Sequence, residues 1–188
     1  MRGGIVLGCS AGGLAALQKL LAGLSGALPV PLLIASHSGS EDMATFCMLL
    51  QRHTVMPVLE AEERTLPLPG HVHVAPAGYH LLLERDGSFA LNVDPRILFS
   101  RPSIDVLFET AAEAWGADAL AIVLTGANAD GAAGAAAIRA AGGRLLVQDP
   151  DDAEVGTMPA AALQRAGGAD AVLPLQEIPH YLERPCLF

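Results

Sequence analysis

Cysteine is scarce in this chain: Cys9, Cys47 and Cys186 are the three in 188 residues, too few and too scattered for a disulfide framework or a structural zinc site. Positive charge is scarce too. Lys and Arg number 11 against 20 Asp and Glu, a formal net charge of -9 with no basic run, which argues against nucleic acid or an anionic membrane as partner. Aromatic residues make up 4%, so the interior must be built from Ala, Leu, Val and Ile. Apolar runs are short. The stretch 20–35 follows Lys19 and contains Pro29 and Pro31, which does not read as a membrane span. Residues 5–9 fall short of the roughly 7–15 apolar residues of a secretory signal. Repeats, low-complexity segments and linkers are also missing, so the expectation is one domain over residues 1–188 in a reducing cytoplasm.

What is present is a 52% apolar composition arranged as short buried strands alternating with amphipathic helices, the pattern of a parallel α/β domain. Gly4-Ile5-Val6-Leu7-Gly8-Cys9 reads as a strand, and Leu14, Leu17, Leu21 and Leu24 then mark one face of a helix. The period changes at Ser10, which places this serine in a strand-to-helix turn where Gly8, Gly12 and Gly13 permit a sharp bend and close approach. The uncapped N–H groups of the following helix suit a developing negative charge. Gly8-Cys9-Ser10-Ala11-Gly12 matches the G-x-S-x-G nucleophile elbow. It matches neither a dinucleotide fingerprint, having Ser at the second Gly, nor a phosphate loop, lacking Gly-Lys-Ser/Thr. A Gly/Ser-rich turn that merely packs is the plain alternative.

A nucleophile needs a base and an orienting acid at the same edge. The strand Leu32-Leu33-Ile34-Ala35 ends in Ser36-His37-Ser38, and parallel strands joined by helices deliver His37 to the same sheet edge as Ser10. The apolar strand beginning at Ala119 runs to Gly126, and Ala127-Asn128-Ala129-Asp130-Gly131 then turns into an Ala-rich helix, so Asp130 emerges there too. An Asp before a helix also reads as its N-cap. Ser103 and Asp105 are accounted for in the same way, as the cap and first-turn acid of a helix carrying Val106, Leu107, Ala111 and Ala114. Between Gly70 and Asn92 the segments 72–75, 81–84 and 89–91, with the turn 85–88, read as an antiparallel excursion from the parallel sheet. His71 and His73 alternate on one of these strands, but without further ligands nearby no metal is expected. The fold expected is α/β, a doubly wound, mostly parallel sheet with helices on both faces and an antiparallel hairpin.

Ser, His, Asp is not the chain order of the α/β-hydrolases. It is the order of a family that this chain resembles from residue 5 to about 181, the catalytic domain of the bacterial chemotaxis protein-glutamate methylesterases, CheB. The resemblance rests on Gly8-Cys9-Ser10-Ala11-Gly12-Gly13, Arg101-Pro102-Ser103-Ile104-Asp105-Val106-Leu107-Phe108, Leu124-Thr125-Gly126-Ala127-Asn128-Ala129-Asp130-Gly131-Ala132, and Gln148-Asp149 with Met158-Pro159. It implies that Ser10 attacks a receptor glutamate methyl ester, that His37 carries the proton to methanol, and that Asp130 holds His37. The oxyanion would lie near Ala11 and Gly12, Ala127 would join them at the pocket, no cofactor or metal is needed, and glutamine deamidation is a related activity. Methylated chemoreceptor helices are the implied partner, without membrane insertion or nucleic acid. The family's N-terminal receiver domain is not in this sequence, so control would come from a separate protein or be lacking. The chain departs from the family in Ala11 for Thr, in Ala127 for Met, and in Ser36 and Ser38 for Gln and Met around the histidine. Two other classes stay open: a serine hydrolase for another ester or amide, and a non-catalytic module that binds receptor helices or a signalling partner.

Overall fold

The computed structural model describes residues 3–37 and 42–184; Ser38 and Cys186 lie outside them. Strand and helix alternate through β1 (Gly4–Cys9), α1 (Gly13–Gly23), β2 (Leu32–Ser36), α2 (Met43–Gln51), β3 (Val58–Glu60) and β4 (Val72–Val74). A hairpin, β5 (His80–Leu83) and β6 (Phe89–Asn92), leads to α3 (Ile104–Trp115). The alternation then resumes with β7 (Ala119–Val123), α4 (Ala132–Ala140), β8 (Arg144–Gln148), α5 (Thr157–Ala166), β9 (Ala171–Leu173) and α6 (Ile178–Leu182). Among the described residues the main sheet has seven strands in the order β3-β4-β2-β1-β7-β8-β9, and its pairs are all parallel. From β1 the chain winds outward to β3 and β4, then returns to β7 and winds outward the other way. The reversal beside β1 opens a crevice at the carboxyl ends of β1, β2 and β7, where open α/β sheets take their ligands.

The doubly wound α/β architecture and the hairpin agree with the sequence. One strand is placed differently. Residues 72–74 form β4, paired in parallel with β2 and β3, and only β5 and β6 are antiparallel. A three-residue strand carries no mark of its direction; its partners decide it. The C-terminal end, which reads only as punctuation in the sequence, contains α6.

Both sheet faces are buried, which is why the central strands are apolar at consecutive positions. Ile5, Leu7 and Cys9 of β1 pack with α1, α2 and α6 in one core. Val6 packs with α3, α4 and α5 in the other. Fully buried Leu, Ile and Phe side chains each contribute about 1.5–3 kcal/mol, so the strand ends that carry the polar groups are anchored from both sides. Helix α3 starts where Ser103 caps it, its hydroxyl accepting from Val106 N–H at 3.4 Å, and α5 stops at Gly167 in a left-handed conformation.

The two histidines of the 71–73 segment find partners within the chain. His73 is buried, and its Nε2 accepts the Leu68 N–H at 3.0 Å, a bond that requires the neutral ring. His71 Nδ1 meets the Pro69 carbonyl at 2.9 Å. Burial first, then the charge of His71, pushes the His73 pKa down to about 4. Because protonation is disfavoured in the folded state, stability is complete above about pH 6.5 and is lost as pH falls toward 4. Urea unfolding of the wild type relative to His73→Asn should show this as a loss of about 2–3 kcal/mol between pH 7 and pH 4. Parallel pH profiles for the two proteins would assign acid sensitivity elsewhere.

Candidate functional site

Backbone pairing fixes the first two residues of interest. β1 and β2 run in register with Cys9 opposite Ser36, and β1 and β7 with Gly8 opposite Val123. Ser10 and His37 follow directly. The Ser10 N–H donates to the Thr125 carbonyl at 2.9 Å, and the His37 N–H donates to the Cys9 carbonyl at 3.1 Å. Both Cα positions are therefore set by the sheet itself, a more rigid support than a free loop.

Gly12 caps α1 at φ 77° and offers no side chain to its first turn. A Cβ there would also stand 2.8 Å from a carboxylate oxygen of Glu154, though it is the left-handed backbone that calls for glycine. The uncapped first turn of α1, together with Ser10, Ala11, His37 and Glu154, lines a pocket of about 540 Å³. Its apolar wall includes Phe46 and Leu49 of α2. The turn is locked from behind by Thr125, whose hydroxyl donates to the Ala11 carbonyl at 2.9 Å and accepts the Val155 N–H at 2.9 Å. Glu154 is thus held on a loop tied to the same threonine as the Ser10 turn.

Asp130 is fully buried and its two oxygens receive four donors. His37 Nε2 lies 2.8 Å from Oδ2, and the Ile104 N–H donates to the same oxygen at 2.8 Å. The Ser103 hydroxyl donates to Oδ1 at 2.8 Å and the Asp105 N–H at 3.0 Å. Burial opposes ionisation most strongly, but the His37 bond and the donors from Asp105, Ile104 and Ser103 outweigh it and hold the carboxyl below its ordinary value. Two of these donors are first-turn amides of α3, so the carboxylate sits where the helix dipole favours an anion. The N-cap of α4 is Gly131, not Asp130. Asp130 caps a helix after all, but α3 instead of the one it precedes. Gly131 adopts φ 94°, and a Cβ on it would meet Ile104 at 2.7 Å, so glycine is what lets α4 approach the start of α3.

His37 is nearly enclosed, with 8% of its side chain exposed. With Nε2 on Asp130, its Nδ1 is buried and has no hydrogen-bond partner among the described residues. Ser10 and His37 line the same pocket with no bond from Nδ1 to the hydroxyl. An orphan buried acceptor needs an explanation, and in the neutral ring, with the proton on Nε2 facing Asp130, Nδ1 is the free lone pair. The arrangement can take a proton from a hydroxyl and keep the resulting imidazolium beside an anion.

Of the residues singled out from the sequence, Ser10, His37, Ala11 and Gly12 come together at this pocket, and Asp130 is bonded behind it. Ala127 is exposed in the turn after β7 and is not part of the pocket lining. Sequence reasoning assigns no site role to Glu154, Thr125 or His80, and treats Ser103 chiefly as a cap. Thr125 and Ser103 stand inside the family-like segments, which is the signal that could have drawn attention to them. Glu154 carries no such signal. No group of three or more His, Cys, Asp or Glu among the described residues is placed to hold a metal, and no helix among them is long and apolar enough to cross a membrane.

The model of the CheB methylesterase family matches residues 5–182. A Leptospira interrogans protein, named provisionally as a protein-glutamate methylesterase/protein-glutamine glutaminase, is 42% identical over 174 residues, covering 93% of this chain and 90% of that one. A Geobacter metallireducens protein-glutamate methylesterase/protein-glutamine glutaminase is 40% identical over 181 residues, 95% of this chain but 49% of the longer relative. The crystal structure of the Thermotoga maritima CheB methylesterase catalytic domain superposes with a TM-score of 0.89 at 31% identity, covering 95% of both chains.

Asp105 provides a measurable consequence of this packing. It is 9% exposed, and its Oδ1 accepts the Gly134 N–H of α4 at 2.8 Å. Burial raises its pKa to about 6, the Gly134 amide opposing and the Asp130 charge adding to the rise. The neutral form is favoured in the fold, so this group costs stability as pH rises from about 4 through 6. Asp105→Asn should lack that loss and gain about 2 kcal/mol on the wild type between pH 4 and pH 7 in chemical denaturation. A difference that does not change with pH would mean that Asp105 ionises as freely in the fold as outside it.

Proposed function

The chain belongs to the CheB methylesterase family, and on that premise we propose that it hydrolyses glutamate methyl esters, and deamidates glutamine side chains, on the cytoplasmic helices of chemoreceptors. We read residues 1–188 as one catalytic domain, acting in the cytoplasm and open to control by a separate protein. The observation that carries the catalytic reading is the buried, unpartnered His37 Nδ1 in the pocket that holds Ser10, with Nε2 bonded to Asp130.

The chemistry follows from these atoms. Ser10 Oγ attacks the ester carbonyl while Nδ1 of His37 takes its proton. The tetrahedral intermediate places its oxyanion toward the amides of Ala11 and Gly12 at the uncapped start of α1, the preorganised donors such a step depends on. Collapse breaks the bond between the acyl carbon and the methoxy oxygen, and the imidazolium gives its proton to that leaving oxygen, forming methanol; from a glutamine side chain the acyl C–N bond breaks and ammonia leaves. Water then attacks the acyl-serine, His37 accepts its proton, and Ser10 and a glutamate carboxylate are released. Asp130 stays ionised throughout, fixing the ring and stabilising its charge.

Methanol release from methylated receptor tests this reading. Ser10→Ala should abolish release with little change in unfolding midpoint, and a serine-directed fluorophosphonate should label Ser10 in the wild type. Release that persists in Ser10→Ala would end it. A small ester hydrolysed in preference to the receptor would instead favour the reading as a hydrolase for another substrate. Ala11 supplies a second test. Its carbonyl is held by Thr125 and its methyl group lies at the pocket, so its lost hydroxyl belongs to the shape of the wall, while the backbone donors remain. Ala11→Thr should therefore raise turnover on a methylated receptor peptide by less than about tenfold, under roughly 1.4 kcal/mol of barrier. A gain near a hundredfold would make the missing hydroxyl an oxyanion donor.

A further inference from the structure

Behind Asp130 lies a second histidine that the reaction itself does not use. His80 opens β5 and is 1% exposed. Its Nδ1 accepts the backbone N–H of Ser103 at 3.0 Å, which puts the ring proton on Nε2, where the Pro95 carbonyl lies at 3.3 Å. Ser103 is completely buried. As the residue capping α3, its N–H has no partner within the helix, so without His80 it would be a buried orphan donor. The hairpin that carries His80 is anchored a second time, where the Leu83 N–H donates to Thr110 Oγ1 of α3 at 3.1 Å. His80 therefore sets the backbone position at which α3 begins. That beginning supplies three of the four donors to Asp130: the Ser103 hydroxyl and the amides of Ile104 and Asp105.

We propose that His80 is a positioning residue for the reaction, one that aims the Asp130 carboxylate, and through it the His37 ring, by holding Ser103 at the start of α3. This rests on the catalytic reading above. A histidine that only filled space could be replaced by an apolar side chain of similar size; one that positions must keep an acceptor at Nδ1. Outer-shell partners of this kind orient the groups that do the chemistry.

The test compares variants that differ in this one atom. His80→Asn can place its amide oxygen where Nδ1 stands, His80→Leu places a methyl group there, and His80→Gln offers an acceptor only at the far end. In His80→Leu the kcat for methanol release and the rate of fluorophosphonate labelling at Ser10 should fall about 10–100-fold, with KM changed less than twofold. His80→Asn should recover to within about threefold of wild type. If His80→Leu does not fold, His80→Gln against His80→Asn carries the same comparison. The downfield proton resonance of the His37–Asp130 bond, followed by NMR, should shift in Leu or Gln and stay in place in Asn. Equal labelling rates and an unmoved resonance in all folded variants would overturn the proposal. A wild type that neither labels nor releases methanol would instead defeat the catalytic reading, and the resonance would still report whether His80 aims Asp130.

Discussion

A buried carboxylate holds this structure's edge together. Asp130 has no solvent exposure, and an ionised group in that position is expensive unless fully paired. Its four donors come from three places in the chain: a side chain after β2, the capping hydroxyl before α3, and two amides of that helix's first turn. None of these is Asp130's neighbour in sequence. Satisfying the charge therefore requires the loop after β7, the start of α3 and the end of β2 to converge, and the sheet order β2-β1-β7 is what makes the convergence possible. Remove any one donor and the penalty on the remaining charge rises, which ties the local geometry of the pocket to the packing of the whole carboxyl edge.

That dependence explains what the sequence discloses and what it withholds. Strand β1, the Ser10 turn and the apolar run of β7 announce themselves through composition and period, because the forces that shape them are local. The edge shared by Ser10, His37 and Asp130 follows from the parallel rule alone. The helix that Asp130 caps does not. An Asp followed by Gly and an Ala-rich helix looks like a cap for that helix, and only a contact spanning 26 positions to Ile104 reveals that it serves another. The direction of β4 is hidden for the same reason, since three residues between a Pro-Gly turn and a hairpin take their orientation from β2 and β3. His80 is harder still. Its bond partner is a backbone amide, and backbone amides leave no mark in a sequence.

Asp105 gives the final step. It stands within the same turn as Ser103, donates its own amide to Asp130, and buries its carboxyl nearly as deeply. Two carboxyl groups this close cannot both ionise without penalty. Burial pushes both upward, and the hydrogen bonds each collects divide them. Asp130 collects four donors and is held below its ordinary pKa, whereas burial pushes Asp105, whose Oδ1 accepts the Gly134 amide, up to about 6. Below about pH 6 the charge is thus anchored on the carboxylate that faces His37, while Asp105 keeps its proton. Environments that push paired titratable groups apart are how an acid and a base acquire separate roles. Here the ionised carboxylate also turns the Nε2 edge of the His37 ring toward Asp130, which leaves Nδ1 as the ring nitrogen without a partner among the described residues.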